Sequence, residues 1–178
     1  MRYYFDCEFI EDGRIIDLIS IGIASDDERE LYMVSSEFDA GKANDFVRRK
    51  VLNHIPGSMK RHTRAQIAQA IKDFVAIPVF VGDLYPEYTR EHWMPEWWAY
   101  YADYDWVALC QLYGRMIDLP QDFGKYCRDL KQEFDRLNTD GTLVLPGQKG
   151  TNHVAINDAR WCQEAHHFLL DLEHPTPF

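Results

Sequence analysis

The chain has 178 residues, 46% of them hydrophobic, enough for one domain around a single substantial core. A formal net charge of −10 argues against a protein that coats duplex DNA by counterion release. No stretch approaches the roughly 18 apolar residues of a membrane span, so a soluble, cytoplasmic protein is expected.

Arg2 to Ile10 reads as an aromatic strand interrupted by two carboxylates, Asp6 and Glu8. Strand side chains alternate faces and rise about 3.3 Å per residue, which puts Asp6 and Glu8 on one face roughly 7 Å apart. A carboxylate pair in so apolar a strand costs several kcal/mol if buried unpaired, so a cation is its natural partner. An edge strand with its polar face in water is the competing reading. Glu11-Asp-Gly13 then signals a hairpin. Ile15 to Ala24 and Glu30 to Ser35 follow as strands, completing an antiparallel meander.

Two helices are predicted next. Asn44 to His54 carries Phe46, Val47, Val51 and Ile55 at roughly helical spacing and stops at Pro56-Gly57. The second opens with the capping box Thr63-Arg-Ala-Gln66, buries Ile67, Ala68, Ile71, Phe74 and Val75, and ends at Pro78. Basic residues concentrate in Arg48-Arg-Lys50 and in Lys60 to Arg64. From Val79 to Pro95 the pattern dissolves, with a short strand expected at Val79 to Val81; loops of this length are often functional.

Glu96 to Tyr101 reads as a central strand leading into a helix with Leu109, Leu112, Tyr113 and Met116 on its apolar face. Tyr126 to Leu130 is either a short strand or the start of a helix reaching Leu137. Thr139 to Gly150 is a loop. The last helix runs from about Val154 to Leu172, with a mobile tail expected over 174–178 and a single domain over 1–173. The cysteines, Cys7, Cys110, Cys127 and Cys162, form no Cys-x-x-Cys pair, so neither a zinc knuckle nor a disulfide framework is indicated.

Further carboxylates arrive late in the chain. Asp105 sits at a strand-to-helix junction, with Asp103 as its rival, and either one could be a helix N-cap. In the last helix Ala155, Asp158, Cys162, Ala165, Leu169 and Leu172 make one stripe, which turns Asp158 toward the core. His153 precedes Asp158 by five residues, about 140° away on a continuous helix, so it reaches the same site only from the incoming loop or first turn. Its competing role is a cap or a surface residue.

Asp6-x-Glu8 in the first strand, Tyr104-Asp105 before an apolar helix and His153-x-x-x-x-Asp158 at the terminal helix resemble, in order, the DEDDh family of 3′-to-5′ exonucleases. The resemblance is to the small single-domain bacterial exoribonucleases, and more distantly to ribonuclease T and oligoribonuclease. Two departures stand out: the asparagine often found upstream of the second motif is absent from Trp98-Ala-Tyr-Tyr101, and Phe-Ile-Glu-Asp follows Glu8 in place of a Thr- and Gly-containing run.

The resemblance implies a ribonuclease H-like α/β fold, a mixed five-stranded sheet of three antiparallel then two parallel strands with helices on both faces. It implies two Mg²⁺ or Mn²⁺ ions held by Asp6, Glu8, Asp105 and Asp158, with Asp6 between them and His153 as general base. Phe9 is a candidate for stacking a terminal base, and Trp106 is expected to pack in the core. Hydrolysis of single-stranded RNA from the 3′ end to nucleoside 5′-monophosphates is the implied activity, and a homodimer is plausible. DNA trimming and a non-catalytic RNA- or protein-binding relative are the alternatives. An aspartyl phosphotransferase using Asp6 would lack the second Asp and the Thr that such strands carry.

Overall fold

The computed structural model describes residues 1–76 and 94–174. The expected stop at Pro78, the expected strand Val79 to Val81 and the tail after His174 lie outside the described residues. Among the described residues six strands form one mixed sheet: β1 (Arg2–Glu11), β2 (Ile16–Ser25), β3 (Glu30–Ser35), β4 (Arg61–His62), β5 (Glu96–Ala99) and β6 (Arg128–Asp129), in the order β4-β3-β2-β1-β5-β6. β1, β2 and β3 pair antiparallel, while β5 joins β1 and β6 joins β5 in parallel. These are the five expected strands; the sixth, β4, is a two-residue edge strand parallel to β3 and too short to leave a pattern. Both readings of Tyr126 to Leu130 prove right, because β6 runs directly into helix α4 (Leu130–Leu137), with Asp129 capping the turn.

Alternation along β1 divides the core. Tyr3, Phe5 and Cys7 face α2 (Arg64–Val75) and α3 (Asp103–Gln111), packing with Ile67, Ile71, Trp97 and Leu109. Tyr4 faces the other way, against Leu130 of α4 and Cys162, Ala165 and Leu169 of α5 (Ala155–Glu173). Helices thus cover both faces, and β5 is buried on both sides through Trp97 and Trp98.

The expected helix from Asn44 is shorter than its apolar spacing suggested. Asn44 caps α1 (Asp45–Lys50), which gives way to a 3₁₀ turn at Leu52–His54. Val47 and Val51 meet the core, whereas Phe46 remains 51% exposed. The helix after β5 likewise ends early, at Gln111. Gly114, at φ 106°, takes a backbone conformation that no helix continues, and Met116 lies exposed beyond it. The capping box at Thr63 and Gln66 forms as its residues predict.

One contact sets where α5 lies. Gly22 of β2 stands opposite Asp6 on β1, and a Cβ there would come within 2.3 Å of the Ile156 nitrogen and 2.4 Å of the Ala155 carbonyl carbon. The start of α5 therefore rests backbone-on-backbone on the sheet beside Asp6. Gly22→Ala should push the helix off, costing about 1–3 kcal/mol or more through overpacking. Denaturant unfolding checks the stability loss, and a normal midpoint in the variant would contradict this docking.

Candidate active site

The face of β1 that carries Tyr4 also carries Asp6 and Glu8, paired across to Gly22 and Ser20 of β2. Because α5 begins against Gly22, its first-turn Asp158 descends onto the same spot. One carboxylate oxygen from each of Asp6, Glu8 and Asp158 lies within 4.8 Å of the other two. A bulge follows at once, between Glu8 and Phe9. Bulges of this kind re-aim side chains beside functional sites.

Asp105 enters from a different direction. β5 pairs with β1 only from Arg2 to Tyr4, leaving the next part of that edge without a strand. The start of α3 fills the gap, and Asp105 Oδ1 accepts a hydrogen bond from the Cys7 backbone N–H at 2.7 Å. Asp105 is buried, whereas Asp103 on the same turn is exposed. Neither caps the helix, since the N-cap position is Ala102.

His153 lies in the bend before α5, on the incoming segment as its spacing requires, with a left-handed φ of 62°. Its Nδ1 is 4.0 Å from Glu8 Oε1, and its ring meets Phe46 edge-on with centroids 5.1 Å apart. The N-cap of α5 is Val154, without a side-chain cap, so His153 does not serve as one.

The electrostatics follow from confinement. Burial, then the charges of Asp105, Glu8 and Asp158, push the Asp6 carboxyl well above its ordinary range. Burial, with Asp158 and Asp105, lifts Glu8 to about 8. Burial lifts Asp105 to about 7, even against its hydrogen bond from Cys7. Asp158 is raised by burial too, while a hydrogen bond from Gln148 pulls the other way. Such a set cannot ionise fully without added positive charge.

The oxygens show where that charge belongs. Asp6 Oδ2 and Asp158 Oδ2 are buried with no hydrogen-bond partner among the described residues, and a buried carboxylate oxygen left so is costly. Oxygen donors at this spacing suit a hard divalent cation. The other oxygen of Asp158 is held by the Gln148 side-chain amide. Sequence reasoning missed Gln148, and a glutamine in a glycine-bearing loop gives no periodic signal by which to find it. Trp106 packs against Phe5 and Trp97 in the core, and Phe9 stacks on exposed Tyr104 at 5.9 Å with their planes 13° apart.

Comparison with known proteins identifies the family. Residues 1–170 match the family described as the 3′-5′ exoribonuclease Rv2179c-like domain. The chain belongs to that family. It is 39% identical over 162 residues, 90% of its length, to the 3′-5′ exoribonuclease Rv2179c of Mycobacterium tuberculosis H37Rv, covering 88% of that protein. The same identity and coverage hold for the 3′-5′ exoribonuclease MT2234.1 of M. tuberculosis strain CDC 1551. Membership places this Rv2179c-like domain in the 3′-5′ exoribonuclease class. The fold is also that of apo Exonuclease I, with a TM-score of 0.61 over 98% of this chain and 42% of that one, at 10% identity. Among the described residues, no helix is long and apolar enough to cross a membrane.

The raised carboxyls make stability depend on pH in a definite direction. The folded state keeps protons on Glu8 and Asp105 that the unfolded chain gives up near its ordinary values of 4.5 and 3.8. Stability from these groups is therefore full below about pH 4 and is lost as pH rises through 7 and 8. Buried His166, pushed down to about 4, acts oppositely, its contribution being lost as pH falls from 6.5. Above pH 6.5 only the carboxyl effect remains of the two. In EDTA the unfolding temperature should drop by roughly 5 °C or more between pH 6.5 and 9, and Mn²⁺ should recover it by binding the folded state. A flat apo profile over that range, or no recovery with metal, would contradict this account of the site.

Proposed function

We propose that this chain hydrolyses single-stranded RNA from its 3′ end, one nucleotide at a time, releasing nucleoside 5′-monophosphates with the help of divalent cations. The observation that carries the reading is the convergence of Asp6, Glu8 and Asp158, two of them with unpartnered buried oxygens, beside His153, in a chain of the 3′-5′ exoribonuclease family. Asp105, held at the β1 edge by the Cys7 backbone N–H, completes the acidic set.

Asp6, Glu8, Asp105 and Asp158 would hold two Mg²⁺ or Mn²⁺ ions, with Asp6 central because the charges of all three others act on it. Bound there, the ions would neutralise the scissile phosphate and stabilise charge developing on the oxygens around phosphorus. The remaining work falls to side chains. His153, at the rim of the acids and partly exposed, takes the proton of the attacking water. Attack forms a new P–O bond and breaks the bond from phosphorus to the 3′ oxygen of the preceding nucleotide. The 5′-phosphate leaves with the released nucleotide, and the shortened RNA keeps a 3′ hydroxyl. Gln148 fixes the rotamer of Asp158, leaving its second oxygen turned inward. The Phe9–Tyr104 pair, at the end of β1 just past Glu8, offers an aromatic face to the terminal base.

Incubation with 5′-labelled single-stranded RNA should yield a stepwise ladder in Mg²⁺ or Mn²⁺ and none in chelator, with matched DNA digested more slowly. Asp6→Asn and Asp158→Asn should each abolish the ladder while the fold is retained. Cutting of circular RNA, or a near-normal rate in either variant, would overturn the assignment.

His153→Ala should lower the single-turnover rate by about 10² to 10⁴, the usual contribution of a general base, and leave Mn²⁺ affinity nearly unchanged. Equal rates in variant and wild type would return His153 to a structural role.

A further inference from the structure

In a chain this acidic, the cations without carboxylate partners are unevenly placed. Arg29, Arg64, Arg115, Arg136 and Arg160 all pair with nearby acids. By contrast Lys42, Arg48, Arg49, Lys50, Lys60 and Arg61, one stretch of chain around α1, form no ion pair among the described residues. Arg48 is occupied by the Ala43 and Gly41 carbonyls, and Arg61 lies over the Phe38 ring. Among the described residues Arg49 reaches only the Asp45 backbone carbonyl, through Nε, and its outer guanidinium nitrogens, like the Lys50 ammonium, have no partner there.

Phe46 belongs to the same face, since residues three and four apart on a helix are neighbours. It is an apolar residue at a position that helical spacing would have buried, yet its ring is half exposed. Its ring and that of His153 meet nearly at right angles, and the imidazole in turn faces Glu8. Beyond it lies a cavity of about 500 Å³ lined by Phe46, Arg49, Lys50 and His54, a size in the range of small-ligand sites. His54 has its Nδ1 engaged by the Lys50 carbonyl, which leaves Nε2 free for a ligand.

We infer that this groove on α1 carries the RNA strand upstream of the scissile phosphate, a base stacking on Phe46 and the backbone phosphates meeting Arg49 and Lys50. The inference rests on the exoribonuclease reading of the site. A polyanion delivered to clustered carboxylates is repelled by them, and cations within a Debye length of about 8–10 Å offset that repulsion where it is felt. Stacking on an exposed ring next to paired cations is how single strands are held without sequence preference. An acidic peptide would use the cations but has no need of the ring, so the favoured partner is single-stranded RNA.

Anisotropy of a 5′-labelled RNA of about ten nucleotides, titrated in EDTA to prevent cleavage and repeated over a range of salt, tests this. Arg49→Gln/Lys50→Gln should lower the slope of log affinity against log salt by about 1.4, the value for two lost phosphate contacts on a single strand. Phe46→Ala should weaken binding about 5- to 100-fold at fixed salt. Lys72→Gln, which removes one charge on the exposed side of α2, should leave the slope at the wild-type value. A double variant with wild-type slope, a Lys72 variant that falls equally, or a Phe46 variant that binds normally would each overturn the groove. Wild type that makes the ladder yet does not bind in this assay would refute the groove alone; wild type that does neither would refute the exoribonuclease reading as well.

Discussion

Everything at the centre of this molecule answers to one constraint: four carboxylates are held at a buried part of a sheet, where burial raises the proton affinity of each and neighbouring acidic charge adds to it at Asp6, Glu8 and Asp105. Left to itself such a cluster would drive its elements apart, so the surrounding structure has to hold them. Aromatic and aliphatic packing on the far face of β1 anchors the strand through Tyr3, Phe5 and Trp97. Backbone contact at Gly22 locates α5, and the Cys7 amide fixes Asp105. Apolar burial of a few large side chains, each contributing about 1.5–3 kcal/mol, is the counterweight to the repulsion.

Much of the arrangement is legible in the residues. Period-two alternation places Asp6 and Glu8 together, and the three-and-four stripe of the last helix turns Asp158 inward; both signals depend on regular backbone, where position in sequence determines direction in space. The five main strands are legible for the same reason. Asp105 and Asp103 could not be separated by spacing, because each begins the same helix. The structure separates them through the early end of β5, whose pairing with β1 stops at Trp98 and leaves one backbone donor for Asp105 to meet.

What could not be read lies where direction is not periodic. Gln148 acts from a loop, and the spacing that puts His153 on the incoming segment carries no sign of the left-handed backbone conformation it adopts there, uncommon for a non-glycine residue. Phe46 misled in the opposite sense: its spacing from Val47 and Val51 fits a core helix, but α1 lasts under two turns before tightening into 3₁₀, so a single stripe is buried and Phe46 falls outside it. An apolar residue that the pattern calls core and the structure leaves outside, against the His153 imidazole, is more informative than a residue whose two descriptions agree.

The bond from the Cys7 amide to Asp105 joins the scaffold to the site through a single proton donor. An amide nitrogen that donates to a carboxylate senses whether that carboxylate is ionised, protonated or bound to a cation, since each state draws on the N–H differently. Cys7 is thereby a built-in spectroscopic probe. Its backbone ¹⁵N resonance is placed to follow the charge state of the acidic cluster during a titration, without a label introduced into the site and without altering any side chain there.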